Sequence, residues 1–302
     1  MSGFLTASVA QGAPAVPAQR RLRGRGTAVF FWPAFTLVMA VATLPILYAF
    51  YQSVHASKFL NVGAFVGVAN FERFFSRGTG LWNSIVFTIG SVGLAVPLGV
   101  AAALALTRIE RGRNFLRTLL IVPWLISNVV VAQLWGWLMN PQLGPVGYAV
   151  QQFGSTMPNP VNSDFWSMPL LVLVHTWTAF PLVMVMTYAA LQTVPKETLE
   201  AATIDGATTM QQIFLVMLPL IRNTILITVL LTTINSLNNA TLVLVLTGGG
   251  PGGATETLAL QIFNEGLKFF RMGVAAAGSV VVFALNVVFA AVYFKVLEEE
   301  RK

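Results

Sequence analysis

The chain contains no cysteine among its 302 residues. Disulfides, thiolate nucleophiles and Cys-based metal sites are therefore excluded. Histidine is scarce: His55 and His175 are the only two, and they form no cluster with Asp or Glu of the kind a membrane-embedded enzyme needs. Charged residues make up 10% of the chain, against about 25% in a soluble domain. The chain thus lacks the polar cover that a water-facing surface requires. Its glycine-rich run, Gly248-Gly-Gly-Pro251-Gly-Gly, has no following Gly-Lys-Ser/Thr, so it reads as a turn and not as a phosphate-binding loop. The long apolar runs hold no Asp or Glu, Asp164 standing at the edge of one. Proton- or sodium-coupled carriers bury carboxylates to hold the coupling ion, so energy is expected from outside this chain.

What is present is apolar. Hydrophobic residues are 56% of the sequence and the mean hydropathy is +0.73. Six runs suffice to cross a bilayer core, which takes about 20 helical residues. They lie near Ala28–Val54, Leu81–Thr107, Phe115–Met139, Phe165–Gln192, Asn223–Leu246 and Met272–Leu297. Backbone groups in lipid must bond within their own segment, so these are helices, and the fold class is an all-α membrane protein with six spans. No alternating barrel-strand pattern occurs.

The net charge of +7 reports topology, not nucleic-acid binding. With the N-terminus inside, thirteen of the eighteen Lys and Arg fall in cytoplasmic segments, among them Arg20, Arg21, Arg23, Arg25, Arg108, Arg111, Arg113 and Arg117. Five fall outside: Lys58, Arg73, Arg77, Lys268 and Arg271. This asymmetry predicts an N-in, C-in arrangement. Residues 1–27 read as a disordered basic cytoplasmic arm, 28–297 as the six-helix domain and 298–302 as a cytoplasmic tail. The first apolar run is longer than the 7–15 residues typical of a signal peptide, so it reads as an uncleaved helix. The Pro-, Asn- and Gly-rich interval Asn140–Asp164 predicts a partly ordered outer cap with short helical pieces.

The polar interval 193–222 between the fourth and fifth spans reads as two short helices. Pro195 suits a helix start, Lys196–Ile204 follows, and Gly206 can close it in a left-handed cap. A second helix starts at Thr208 or Thr209, with Gln212 at capping-box spacing from Thr209, and runs to Leu218, where Pro219 marks a bend into the fifth span. Lipid-surface helices carry Lys and Arg on their polar face. Here Glu197, Glu200 and Asp205 face Lys196 alone, which is unfavourable on an anionic leaflet and favours a protein partner.

Polar residues inside the spans gather on the fifth: Thr232, Thr233, Asn235, Ser236, Asn238 and Asn239. Such residues serve as hydrogen-bonding glue between membrane helices, or they line a site for a neutral polyhydroxylated solute. Thr232, Ser236 and Asn239 fall at i, i+4 and i+7, one helical stripe, with Asn235 beside it. His175 on the fourth span reads as hydrogen-bonded packing. Pro181 should bend that span and free the carbonyl near Trp177. Trp124, Trp135 and Trp137 read as packing or interface anchors.

Five segments in order carry a family resemblance: Phe65-Val-Gly-Val-Ala-Asn70-Phe71; Leu116-Arg-Thr-Leu-Leu-Ile-Val-Pro123; Leu191 to Ala207, containing Glu200-Ala-Ala-Thr-Ile-Asp205-Gly206, with eleven residues between the glycine and Leu218-Pro219; Leu246-Thr-Gly-Gly-Gly-Pro251; and Gly273-Val-Ala-Ala-Ala277. Together they resemble the permease subunits of ABC importers of the carbohydrate-uptake type, the third segment resembling their EAA loop. The departures are Val216, where the loop pattern usually has Ile, and Asn238-Asn239, where many relatives have an aromatic residue followed by Asp. The resemblance implies the ABC importer type I permease fold, with cytoplasmic coupling helices and a non-catalytic chain that binds no cofactor itself, ATP and Mg residing in a partner ATPase. It implies a second homologous permease, two copies of a cytoplasmic ABC ATPase, an extracytoplasmic solute-binding protein and a sugar-like substrate, all at the bacterial cytoplasmic membrane. In the loop it implies coupling roles for Glu200, Ala201, Ala202, Asp205, Gly206, Leu218 and Pro219. Glu200 would face a basic residue of the ATPase, the alanines would permit close approach, and Gly206 would allow the bend. Asp205, by contrast, reads as a turn cap that holds the loop's own backbone. In the pathway it implies substrate contacts at Thr178, Ala179, Leu182, Thr232, Asn235, Ser236 and Asn239. The alternative is a stand-alone ion-coupled secondary carrier, which calls for inverted repeats and an intramembrane ion site; the sequence displays neither.

Overall fold

The computed structural model describes residues 25–299 except 60 and 77, with the side chains of 25–31 and 299 left aside. The basic arm expected over 1–27 lies outside the described residues up to position 24, and residues 25–27 already belong to the first helix; of the expected tail, 300–302 lie outside them. The first apolar run forms α1 (Arg25–Ser53). A short antiparallel hairpin follows, β1 (His55–Lys58) paired with β2 (Asn61–Phe65) in the register His55 to Phe65 and Lys58 to Asn61. Then come α2 (Ala69–Phe75) and α3 (Gly80–Arg108).

The third span departs from expectation. The single helix read over 115–139 is two helices, α4 (Arg113–Leu125) and α5 (Asn128–Leu138), meeting at 97° across Ile126 and Ser127. Ile126 takes an extended backbone conformation, and Ser127 caps α5 by accepting from the Val129 N–H at 3.4 Å. A hydroxyl placed to satisfy a free helix-start N–H makes such a break affordable in an apolar setting. The polar interval beyond carries α6 (Pro145–Gln152) and one 3-10 turn, Pro160–Asn162, the short helical pieces its composition suggested.

α7 (Ser167–Leu191) runs through Pro181 without interruption. α8 (Lys196–Ile204) follows. The second loop helix is not separate from the fifth span. α9 (Thr209–Gln211) passes through a π turn, Gln212–Met217, into α10 (Leu218–Leu237), giving one continuous helix from Thr209 to Leu237. Pro219 lies inside this continuous helix, and the wider π turn just before it carries the helix past a residue that lacks an N–H. The fifth span also ends early. Asn238 Nδ2 donates to the Ile234 carbonyl, and Asn239 Oδ1 accepts from the Leu242 N–H at 3.1 Å, starting α11 (Ala240–Leu246). These two asparagines take over helix-end bonding and break the helix read over 223–246. The turn expected between the last two spans also contains α12 (Leu258–Phe263) and a π turn, Asn264–Lys268, before α13 (Met272–Glu299).

The interior centres on α3 against α7. A Cβ added at Gly99 would meet Val183 Cβ at 2.5 Å and the Phe180 carbonyl at 2.8 Å, and one at Gly90 would meet Val172 at 3.1 Å. Glycine here lets two membrane helices approach backbone to side chain. Around that contact, Phe87, Leu171, Val174 and Leu242 form one buried cluster, and Leu106, Met184, Tyr188 and Ile221 a second nearer the far end of α3. The start of α3 is tied to the 247–257 segment: Ser84 Oγ accepts from the Leu258 N–H at 2.8 Å and Asn83 Nδ2 donates to the Gly253 carbonyl at 2.8 Å. The two ends of α3 thus mark opposite ends of this body, with the hairpin and α12 at one and the α8 segment at the other.

Candidate functional site

Two regions carry functional signatures. The first is the α8 segment. No residue of α8 is buried. Its end is closed by its own backbone: the Gly206 N–H donates to the Thr203 carbonyl and the Ala207 N–H to the Ala202 carbonyl at 2.9 Å. This bonding is a Schellman cap, and it requires the left-handed φ of +79° that Gly206 adopts. The capping box falls one residue earlier than expected. Thr208, not Thr209, pairs with Gln211, whose Oε1 accepts from the Thr208 N–H at 2.7 Å. Gln212 instead reaches back, its Nε2 donating to Thr203 Oγ1 at 2.9 Å and to the Ala207 carbonyl. Asp205, expected to hold the loop's backbone, sits at the helix end with an exposed side chain that makes no hydrogen bond among the described residues; Gln212 performs that task. Glu200 and Ala201 are exposed, Ala202 and Leu218 half-buried, and Pro219 exposed. Beside these acidic residues the segment presents Ile204, 86% exposed, with Met210, Phe214 and Leu215 also uncovered. The turn is thus held by its own hydrogen bonds, and these apolar side chains are left uncovered.

The second region is a cavity of about 300 Å³ where the α4–α5 break meets α7 and α10. Thr178, Ala179 and Leu182 line it from α7, and Thr232 and Asn235 from α10. Trp124, Ile126, Ser127 and Asn128 complete it from the break. Five of the seven pathway residues proposed from the sequence converge here. Ser236 and Asn239 do not join the lining: Ser236 Oγ donates to the Thr232 carbonyl at 2.9 Å, and Asn239 is the cap of α11. Thr232 Oγ1 likewise donates to the Thr228 carbonyl and Thr178 Oγ1 to that of His175, which leaves both oxygens available as acceptors. Asn235 Oδ1 lies 3.3 Å from His175 Nε2, and the His175 ring, fully buried, packs edge-on to Phe87. His175 therefore orients Asn235 from behind the cavity and does not line it. The sequence reading missed the α4–α5 residues as cavity lining; Trp124, read as packing or an interface anchor, is half exposed and also lines the cavity. The available signal was the polar pair Ser127-Asn128 in mid-span. No lining side chain is ionisable. The cavity offers hydroxyl and amide groups beside an indole, the chemistry that recognises a neutral polyhydroxylated molecule.

Residues 95–297 match the family described as the binding-protein-dependent transport system inner membrane component. Among similar proteins, the trehalose/maltose transport system permease protein MalF of Thermococcus litoralis is 31% identical over 87% of this chain and 90% of its own length. The sn-glycerol-3-phosphate transport system permease protein UgpA of Agrobacterium fabrum is 29% identical over 89% of both chains. In three dimensions the chain superposes on a chain of a bacterial ABC transporter involved in import of the acidic polysaccharide alginate. The TM-score is 0.80 at 19% identity, covering 93% of this chain and 97% of the other, a likeness of fold. The broken third span, the exposed loop after α7 and these matches agree: the chain belongs to the binding-protein-dependent transport system inner membrane components and is a transmembrane permease subunit of an ABC importer.

Proposed function

We propose that this subunit moves a carbohydrate or related polyol or glycoside across the bacterial cytoplasmic membrane, with its N- and C-termini on the cytoplasmic side. A second homologous permease completes the pathway, two copies of an ABC ATPase dock on the coupling loops, and an external binding protein delivers the solute. The relatives named for trehalose/maltose and for sn-glycerol-3-phosphate support the substrate class. On this subunit's side of the pathway the cavity lining is uncharged and offers hydroxyl and amide groups. The observation that carries the coupling assignment is the α8 segment, closed by its own hydrogen bonds and unburied along the whole helix.

In this reading Glu200 pairs with a basic group of the ATPase, while Ala201 and Ala202 keep the approach close. The ATPase itself binds ATP and Mg and performs the hydrolysis, and this chain contributes no catalytic group. Closure of the ATPase dimer pushes on residues 200–218. Because α9, the π turn and α10 form one continuous helix, displacement at the loop reaches Thr232 and Asn235 without a hinge between them. The cavity and the loop are thus two sites coupled through a shared rigid element.

The test is solute-stimulated ATP hydrolysis by the reconstituted importer with its binding protein, across a sugar panel, comparing wild type with Gly206→Pro. Proline cannot adopt the φ of +79°. Stimulation by one sugar, lost in the variant while the complex still assembles, is the expected result. Uptake that persists in vesicles lacking any ATPase overturns the reading in favour of an ion-coupled carrier.

A further inference from the structure

At the end of the molecule opposite the α8 segment, a cavity of about 690 Å³ opens between the β1–β2 hairpin, α2, the π turn after α12 and the start of α13. Lys58, Arg73 and Arg271 line it against a single carboxylate, Glu265. Glu265 is 3% exposed and accepts from Arg271 Nη1 at 3.4 Å, so Arg271 is matched. Lys58 and Arg73 have no carboxylate partner among the described residues. Ser57, 4% exposed, contributes to the same lining, and its hydroxyl has no hydrogen-bond partner among the described residues. The Ser57 hydroxyl oxygen is itself buried behind this wall, so Lys58 and Arg73 are the groups open to a ligand. The wall is rigid, because Asn70 Nδ2 donates to both the Ser53 and His55 carbonyls at 2.9 Å and clamps the hairpin to α2.

We propose that this cavity binds a phosphate-type oxyanion. Three cations against one carboxylate leave a surplus of two positive charges, which suits a phosphate group, and charge-assisted bonds from Arg and Lys are the usual means of holding one. The cavity stands where the apolar run of α13 begins at Met272, at the depth of lipid headgroups. The phosphate is therefore carried either by an anionic lipid or by a free ion. The site is separate from the cavity around Thr178 and Asn235, with which it shares no residue.

The experiment uses the assembled transporter, as wild type, as Lys58→Gln/Arg73→Gln and as Arg73→Lys. Both substituted side chains are exposed, so folding is expected to persist. In one arm, native mass spectrometry counts phosphatidylglycerol retained over phosphatidylcholine; in the other, thermal unfolding is compared in sodium phosphate and in sodium chloride of equal ionic strength. The expected result is retention of the anionic lipid, or a rise in melting temperature with phosphate, about tenfold weaker in the double variant and restored in Arg73→Lys. Whichever arm responds identifies the carrier. Wild-type protein that shows no preference in either arm, or a double variant that matches wild type in both, overturns the proposal.

Discussion

The α3–α7 contact and the α8 segment are opposites in how they are held. Around Gly99 the two helices are so close that a single methyl group has no room, and the neighbouring Phe87, Leu171 and Met184 are wholly buried. In α8 nothing is buried, and a Cβ on Gly206 would meet open space. The first region is specified by packing, so its tolerance is set by volume. The second is specified by backbone bonding, so its tolerance is set by dihedral angle, and its apolar side chains are left for a partner. In the coupling proposed above, the first region is the stiff body that transmits a displacement and the second the handle that receives it.

The sharpest way to break the contrast is to put volume into the packed region. Gly99→Val should drive α3 from α7 and abolish recovery of folded complex, since overpacking costs typically 1–3 kcal/mol even in more forgiving cores; size-exclusion yield after solubilisation reports it. The same enlargement at Gly93, on the same helix but where a Cβ meets nothing within 4 Å, should leave yield nearly intact. Next in size, Phe214→Asp together with Ile204→Asp should leave the permease folded but strip the ATPase from it in co-purification. Loss of fold instead would mean that these side chains serve the chain's own core.

Asn235→Ala comes third. It should lower uptake roughly tenfold, corresponding to about 1.4 kcal/mol, and should also slightly destabilise the fold by leaving His175 Nε2 without its partner. Ser236→Ala, one residue on but outside the cavity lining, should change uptake little. Equal losses at both positions would point to helix packing and not to substrate contact. Smallest is Thr208→Ala, which removes the capping box and should cost about 1 kcal/mol of local helix stability. It would appear as faster amide exchange over 208–212, with stimulated ATP hydrolysis reduced but not abolished.

Much of the fold was legible because it depends on local or one-dimensional properties. Span positions follow from apolar length, and the Gly206 cap follows from the one residue type that enters left-handed space without strain. The breaks were less legible. Ser127-Asn128 and Asn238-Asn239 sit inside apolar runs that hydropathy alone reads as continuous, and only their side-chain bonds to nearby backbone show that the helix stops there. Those breaks also explain the misplaced site residues. Asn239 lies on the Thr232 stripe only if the helix continues past Leu237, and it does not. The hairpin escaped notice because His55–Lys58 and Asn61–Phe65 lack the alternation of a half-buried strand; their pairing is stabilised by Asn70 from α2.

By itself, then, the sequence determined the solvent, the number of apolar runs, the absence of any Asp or Glu within them, and the loop that closes on Gly206, because each is a matter of composition or of bonds between residues a few positions apart. The tertiary structure decided which neutral polar groups face one cavity, that α9 and α10 form one lever, and that Lys58, Arg73 and Ser57 share a wall with Glu265 some two hundred residues further along the chain. Such convergence depends on how helices pack against one another, and no local pattern encodes it.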